Sequence, residues 1–69
     1  MYVKITADNV TDEQIEALRA EAATYGDVAM VDLCDAALTE IDCYEVRSAR
    51  IKCAIAIENA RIRYEEENA

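Results

Sequence analysis

The chain has 69 residues, a net charge of −8 and no histidine, phenylalanine or tryptophan. This length predicts a single domain over residues 1–69, and thirteen alanines among its apolar residues leave that domain a small core. The acidic balance argues against direct nucleic-acid binding, which depends on clustered Lys and Arg. The absence of histidine argues against an enzyme, and a single glycine excludes a glycine-rich phosphate loop.

The chain begins with alternating side chains over residues 2–6, which predict a short extended arm or an edge strand. A helix start follows, because Thr11 and Gln14 match the spacing of a capping box. Val10 precedes this cap and can pack on Ile15 as a hydrophobic staple. The pattern predicts the first helix at about Asp12 to Tyr25.

Gly26 is the only glycine in the chain, and it is placed to end the first helix in a left-handed conformation. Asp27 directly afterwards can cap a second helix, whose apolar spacing continues to about Ile41. Such a short connection predicts an antiparallel helical hairpin.

Asp42 and Glu45 resemble another capping arrangement, so we expect a third helix from about Cys43 to Glu66. The chain contains no proline. We therefore predict an all-α fold: a helical hairpin plus a longer third helix, forming a three-helix bundle.

The third helix carries apolar residues on two faces. One face is predicted to pack in the core, and it comprises Val46, Ala49, Cys53, Ile57, Ala60 and Tyr64. On the far side, Ile51, Ile55, Glu58 and Ile62 repeat at the alternating spacing of four and three that is typical of a helix–helix seam. The third helix would span roughly 36 Å against 18 to 21 Å for each helix of the hairpin, so the hairpin cannot cover it fully. We predict an antiparallel homodimer through Ile51, Ile55, Ile62 and Tyr64.

The charge is unevenly distributed along the chain. Residues 1–42 hold ten acidic and two basic residues, whereas residues 43–69 hold five of each. The acidic part predicts a surface for a larger cationic protein partner, formed by Asp12, Glu13, Glu16, Asp32 and Asp35. Two alternatives stay open: a structural homo-oligomerisation module that its acids merely keep soluble, and a nucleic-acid mimic that occupies a cationic groove. We expect the bases to pair with neighbours on the helix, for example Arg61 with Glu58 or Glu65 and Arg63 with Asn59 or Glu67.

The three cysteines, Cys34, Cys43 and Cys53, are odd in number and widely spaced. Zinc would need a fourth ligand, and a disulfide framework would leave one thiol over. We therefore expect reduced structural thiols in a cytoplasmic protein, with no metal and no cofactor. No signal peptide, lipidation motif or long apolar run is evident, so we expect neither export nor a membrane span.

The stretches NVTDEQIEALRAEA, YGD and VDLCDAAL lie within Asn9 to Leu38. This segment resembles small uncharacterised helical proteins of bacteria and bacteriophages. The resemblance implies a small accessory protein of phage or mobile-element origin, for which an inhibitor or modulator of a larger host protein is the most concrete role. It carries no functional residue over to this chain.

Overall fold

The computed structural model describes residues 3–68, which form three α-helices. They are α1 (Asp12–Thr24), α2 (Val28–Ala37) and α3 (Tyr44–Glu67), and no strand occurs within residues 3–68. α2 packs extensively on both other helices, whereas α1 touches α3 less. The predicted all-α class, with a hairpin and a longer third helix, is confirmed.

The start of α1 follows the sequence prediction in detail. The backbone N–H of Gln14 donates to the Thr11 hydroxyl at 3.1 Å, and the Thr11 N–H donates to the Gln14 side-chain oxygen at 2.9 Å. Val10 and Ile15 are both buried in the same apolar cluster, as a staple requires. α1 ends one residue before the predicted Tyr25.

The hairpin turn is fixed by two local motifs. Gly26 has a φ of +73°, and the N–H groups of Gly26 and Asp27 donate to the carbonyls of Ala23 and Ala22 at 3.2 and 2.9 Å. These two bonds form a Schellman motif, which satisfies the last carbonyls of α1. The Asp27 carboxylate then accepts the N–H of Met30 at 3.2 Å and caps α2 as predicted.

The predicted cap of α3 is wrong. The helix begins at Tyr44, and the preceding Cys43 occupies the cap position with φ −143° and ψ 168° but makes no side-chain capping bond. Asp42 instead accepts two hydrogen bonds from the Arg47 guanidinium, at 2.8 and 3.0 Å. This pairing engages both oxygens of the Asp42 carboxylate, so the carboxylate does not cap the helix terminus.

The core is built mostly from small side chains. Its buried apolar residues are Val10, Ile15, Ala22, Cys34, Ala37, Ala49, Cys53 and Ala54. Small residues let helices approach closely, but each removes little apolar area from water. Polar contacts between the elements therefore matter more here than in a larger core.

Two parts of the predicted face assignment of α3 are also wrong. Ala60 and Tyr64, predicted as core, are exposed. Ala60 lines an open groove beside α1, whereas Tyr64 lies in the last turns of this 24-residue helix, which the shorter α1 and α2 do not cover. Glu58, predicted in the exposed row, is only 5% exposed. Its carboxylate Oε1 accepts the backbone N–H of Ile5 at 3.0 Å, because the N-terminal segment lies over this part of α3.

Residues 3–6 belong to neither a helix nor a strand. Asn9 holds the end of this segment, since its side chain accepts the N–H of Thr6 at 2.8 Å and donates to the carbonyl of Lys4 at 2.8 Å. Ile5 is half-buried against the core. The extended arm itself stays a prediction, and its first residue, Tyr2, lies outside the described residues.

Candidate interaction surfaces

The exposed side of α3 carries the isoleucine row, defined here as Ile51, Ile55 and Ile62. Their exposed fractions are 48, 54 and 41%, and Tyr64 on the same helix is 67% exposed. The described chain therefore leaves all four residues of the predicted dimer interface accessible. Because Glu58 is turned into the fold, the row is a patch of three isoleucines rather than a continuous seam.

Arg50 on α3 binds α1, α2 and the segment before α1. Its guanidinium donates to the carbonyls of Val10 and Ala37 and to the carboxylate of Asp12, each at 3.0 Å. Ala37 is the last residue of α2, so this contact satisfies a carbonyl at a helix end. The Arg50 side chain is 25% exposed, whereas Asp12 is 68% exposed. The bases were expected to pair with nearby acids, and Arg50 does bind Asp12, but its bonds to the carbonyls of Val10 and Ala37 were not predicted.

The five acids predicted to bind a partner are all exposed, but two of them are already paired. Asp12 binds Arg50, and Asp35 accepts from Arg19 at 2.5 Å. The remaining three side chains, which belong to Glu13, Glu16 and Asp32, make no ion pair or hydrogen bond within residues 3–68. Arg19 lies one turn after Glu16 on α1, so a cation interrupts the acidic surface.

Two of the exposed ion pairs, Arg19–Asp35 and Arg47–Asp42, shift the pKa of Arg19, Arg47 and Asp42. The hydrogen bond from Arg47, and then its charge, lowers the pKa of the Asp42 carboxyl. The hydrogen bond to Asp35 raises the pKa of Arg19, and the bond to Asp42 does the same for Arg47. None of the shifts arises from burial, so they indicate ordinary exposed ion pairs rather than reactive groups.

The basic residues near the end of α3 behave partly as predicted. Arg61 donates to Glu58 at 3.3 Å and also binds Glu65 one turn later. Neither predicted partner of Arg63, Asn59 or Glu67, makes a hydrogen bond or ion pair with it within residues 3–68. Arg63 lines one end of a shallow groove between α1 and α3 instead.

This α1–α3 groove was not predicted. Its lining is more apolar than polar and includes Leu18, Ile57 and Ala60, together with Glu21. The groove exists because α1 packs on α2 more closely than on α3. No pattern of one helix could have indicated it, since it depends on the spacing between two helices.

All three cysteines are free thiols, and two of them lie in the core as structural residues. Cys34 and Cys53 are fully buried and in contact, whereas Cys43 is half-buried and lies apart from them at the start of α3. Within residues 3–68, no cluster of three or more Cys, Asp or Glu residues is arranged to hold a metal ion. None of the helices in this part of the chain is both long and apolar enough to cross a membrane.

Comparison of the chain with protein-family models, with curated proteins and with solved structures gives no match. The resemblance of Asn9 to Leu38 to small bacterial and phage proteins therefore stays a prediction. Any function must be argued from the surfaces described above.

Proposed function

We propose that the chain is a small, non-enzymatic, cytoplasmic protein–protein interaction module that forms a homodimer through the isoleucine row of α3. The observation that carries this proposal is that Ile51, Ile55 and Ile62 are about half exposed on one side of a helix that its own hairpin leaves partly uncovered. An antiparallel pair of α3 helices would cover the row and the projecting last turns together. Such a twofold contact uses the same surface on both copies.

Charge supports a second copy as the occupant of this face. α3 contains five acidic and five basic residues, whereas the rest of the chain carries the whole net charge of −8. Two copies that meet through α3 therefore avoid most of the repulsion that two hairpins would create.

The size of the row also sets the expected affinity. Full burial of an isoleucine is worth about 1.5 to 3 kcal/mol, so covering a half-exposed one gains about 1 kcal/mol. Three per protomer give about 6 kcal/mol for the pair, and covering Tyr64, which is 67% exposed, adds about 1 to 2 kcal/mol per copy, against an association cost of at least about 4 kcal/mol. We therefore expect a weak dimer whose population rises with protein concentration.

Sedimentation equilibrium over micromolar to near-millimolar concentrations tests the proposal. Wild type should shift from monomer to dimer, and Ile55→Asp should stay monomeric while it keeps its helical circular dichroism. Ile41→Asp is the matched control, because Ile41 is 66% exposed but lies outside α3. The proposal fails if Ile55→Asp associates as wild type does, or if wild type is monomeric throughout.

A second candidate function is binding of a larger cationic protein through the acidic surface. Glu13, Glu16 and Asp32 favour it, because they make no ion pair within residues 3–68 that a partner would first have to break. An inhibitor or modulator of a host complex is the concrete form of this candidate. The nucleic-acid mimic has less support, since Arg19 and Arg50 neutralise two of the five acids.

Charge reversal distinguishes this candidate from simple solubility. A Glu13→Lys, Glu16→Lys double variant should lose a partner that wild type retains at low salt and releases at high salt. The control is Glu66→Lys with Glu67→Lys, which changes the net charge equally at the far end of α3. Equal loss in both variants would indicate a general charge effect and contradict a specific surface.

A further inference from the structure

Cys34 on α2 and Cys53 on α3 meet in the core. Both are 0% exposed, and their Sγ atoms lie 3.9 Å apart with the Cys53 thiol donating to Cys34. Their neighbours in the same cluster include Ala37, Ala49 and Ala54. These small side chains let the two helices approach, so thiols that are 19 positions apart in sequence come into contact.

We propose that Cys34 and Cys53 form a dithiol–disulfide pair, which oxidises to a covalent link between α2 and α3. The two sulfurs already touch and would have to approach from 3.9 Å to about 2.05 Å to bond. Cys43 is not part of the pair, because it lies half-buried at the start of α3 and, within the described residues, has no sulfur contact with either thiol. The inference does not depend on the proposed dimer.

The oxidant in this reaction is a low-molecular-weight disulfide such as oxidised glutathione. The thiolate of one of the two cysteines attacks a sulfur of the oxidant, which forms a mixed disulfide and releases one glutathione thiolate. The other cysteine, as its thiolate, then attacks the protein sulfur of the mixed disulfide and releases the second glutathione. In total the two protein thiols lose two protons and two electrons, and the oxidant is reduced to two thiols.

Burial determines how this reaction proceeds. Desolvation raises the pKa of Cys34, and it raises the pKa of Cys53 to about 12, so thiolate is scarce while the fold is closed. The oxidant also cannot reach a fully buried sulfur. Oxidation therefore passes through an opening of α2 from α3 or occurs before the chain has folded, and it should be slow in the native protein.

The link would stabilise the folded chain once it has formed. It closes a loop of 18 intervening residues, which restricts the unfolded chain. For a loop of this length the unfolding equilibrium constant should fall on the order of 100-fold if the native helices accept the bond without strain. By thermodynamic linkage, the folded chain must then favour the disulfide over the dithiol by the same factor relative to the unfolded chain.

A glutathione titration of a Cys43→Ser variant tests the proposal, because this variant retains only the buried pair and leaves the core unchanged. The variant is equilibrated at a series of reduced-to-oxidised glutathione ratios, both in native buffer and in concentrated guanidinium chloride. Acid quenching and intact mass then give the fraction of internal disulfide. We expect its equilibrium constant to be on the order of 100-fold larger in native buffer.

Two matched variants serve as controls. Cys34→Ala and Cys53→Ala each leave one core thiol together with Cys43, and they should give mixed disulfides with glutathione rather than an internal bond. The proposal is overturned if the internal disulfide of the Cys43→Ser variant is no more favourable in native buffer than in denaturant. It is equally overturned if either control forms an internal bond as readily.

Discussion

Arg50 gives the sharpest test of how this small core is held together. Replacing it by methionine keeps a long apolar stem but removes the guanidinium, which contacts Val10, Ala37 and Asp12. The hydrogen bonds from Arg50 to the carbonyls of Val10 and Ala37 are partly buried. Losing a charged donor to such a carbonyl costs about 1.5 kcal/mol for each bond. The Asp12 pair is more exposed and adds less than about 1 kcal/mol.

These contributions predict that Arg50→Met lowers the free energy of unfolding by about 3 kcal/mol. A 69-residue chain is typically stable by only about 3.5 to 10 kcal/mol, so the loss is a large fraction of the total. Urea denaturation followed by far-ultraviolet circular dichroism measures it. With a slope near 1 kcal/mol/M, the midpoint should fall by about 3 M.

Three further variants separate the contacts of Arg50. Arg50→Lys should recover part of the loss, because one ammonium cannot reach all three acceptors in the geometry of the fork. Asp12→Asn should cost about 1 kcal/mol or less, since it removes only the exposed pair and a favourable charge at the start of α1. Arg47→Met is the matched control, because Arg47 lies on the same helix and binds Asp42 at the exposed surface.

All variants are compared at one protein concentration, since the stability of a dimer depends on it. The reasoning is refuted if Arg50→Met and Arg47→Met have the same midpoint. In that case the contacts to Val10 and Ala37 would contribute no more than an exposed ion pair.

Three other predictions concern local features of the fold. Gly26→Ala should lower stability by about 1 kcal/mol in the same urea assay, because its φ of +73° strains an L residue although no atom lies within 4 Å of the added carbon; an unchanged midpoint would contradict this. Cys43→Ser should raise stability by about 0.5 to 1 kcal/mol, since an extended residue without a capping bond starts α3 and serine can supply one; a lower midpoint would mean that the thiol packs better than the hydroxyl caps. Burial raises the pKa of Cys53 from 9.0 to about 12, so the folded chain keeps a proton that the unfolded chain loses. The stabilisation that this pKa difference gives the folded chain is complete below about pH 9. It is lost as the pH rises to about 12, by up to about 1.4 kcal/mol per pH unit. The free energy of unfolding of Cys53→Ala should therefore decline less steeply with alkaline pH than that of wild type.

Much of the hairpin was predictable because its determinants are local. The bonds between Thr11 and Gln14 and between Asp27 and Met30 each join residues three positions apart. Glycine is likewise the residue type that adopts a positive φ at no steric cost, and Gly26 has such a φ. Such motifs need only their own neighbours in the sequence, so the ends of α1 and the start of α2 can be derived without the rest of the fold.

The start of α3 marks the limit of local reasoning. Asp42 and Glu45 have capping spacing, yet Asp42 pairs with Arg47 and leaves Cys43 at the helix end. Both arrangements are short-range, and the sequence contains the residues for each. The choice depends on which carboxylate bond is stronger once the connection from α2 is in place.

The sequence by itself determined the all-α class, the hairpin, the length of α3 and the presence of isoleucines beyond its core face. Only the tertiary structure decided that Glu58 is buried under the N-terminal segment, that Arg50 binds groups 38 to 40 positions away, and that Cys34 meets Cys53. The physical reason is the range of the interactions. Helix periodicity and capping act within about one turn, whereas these three contacts depend on the distance and angle between packed elements, which no single segment of the chain contains.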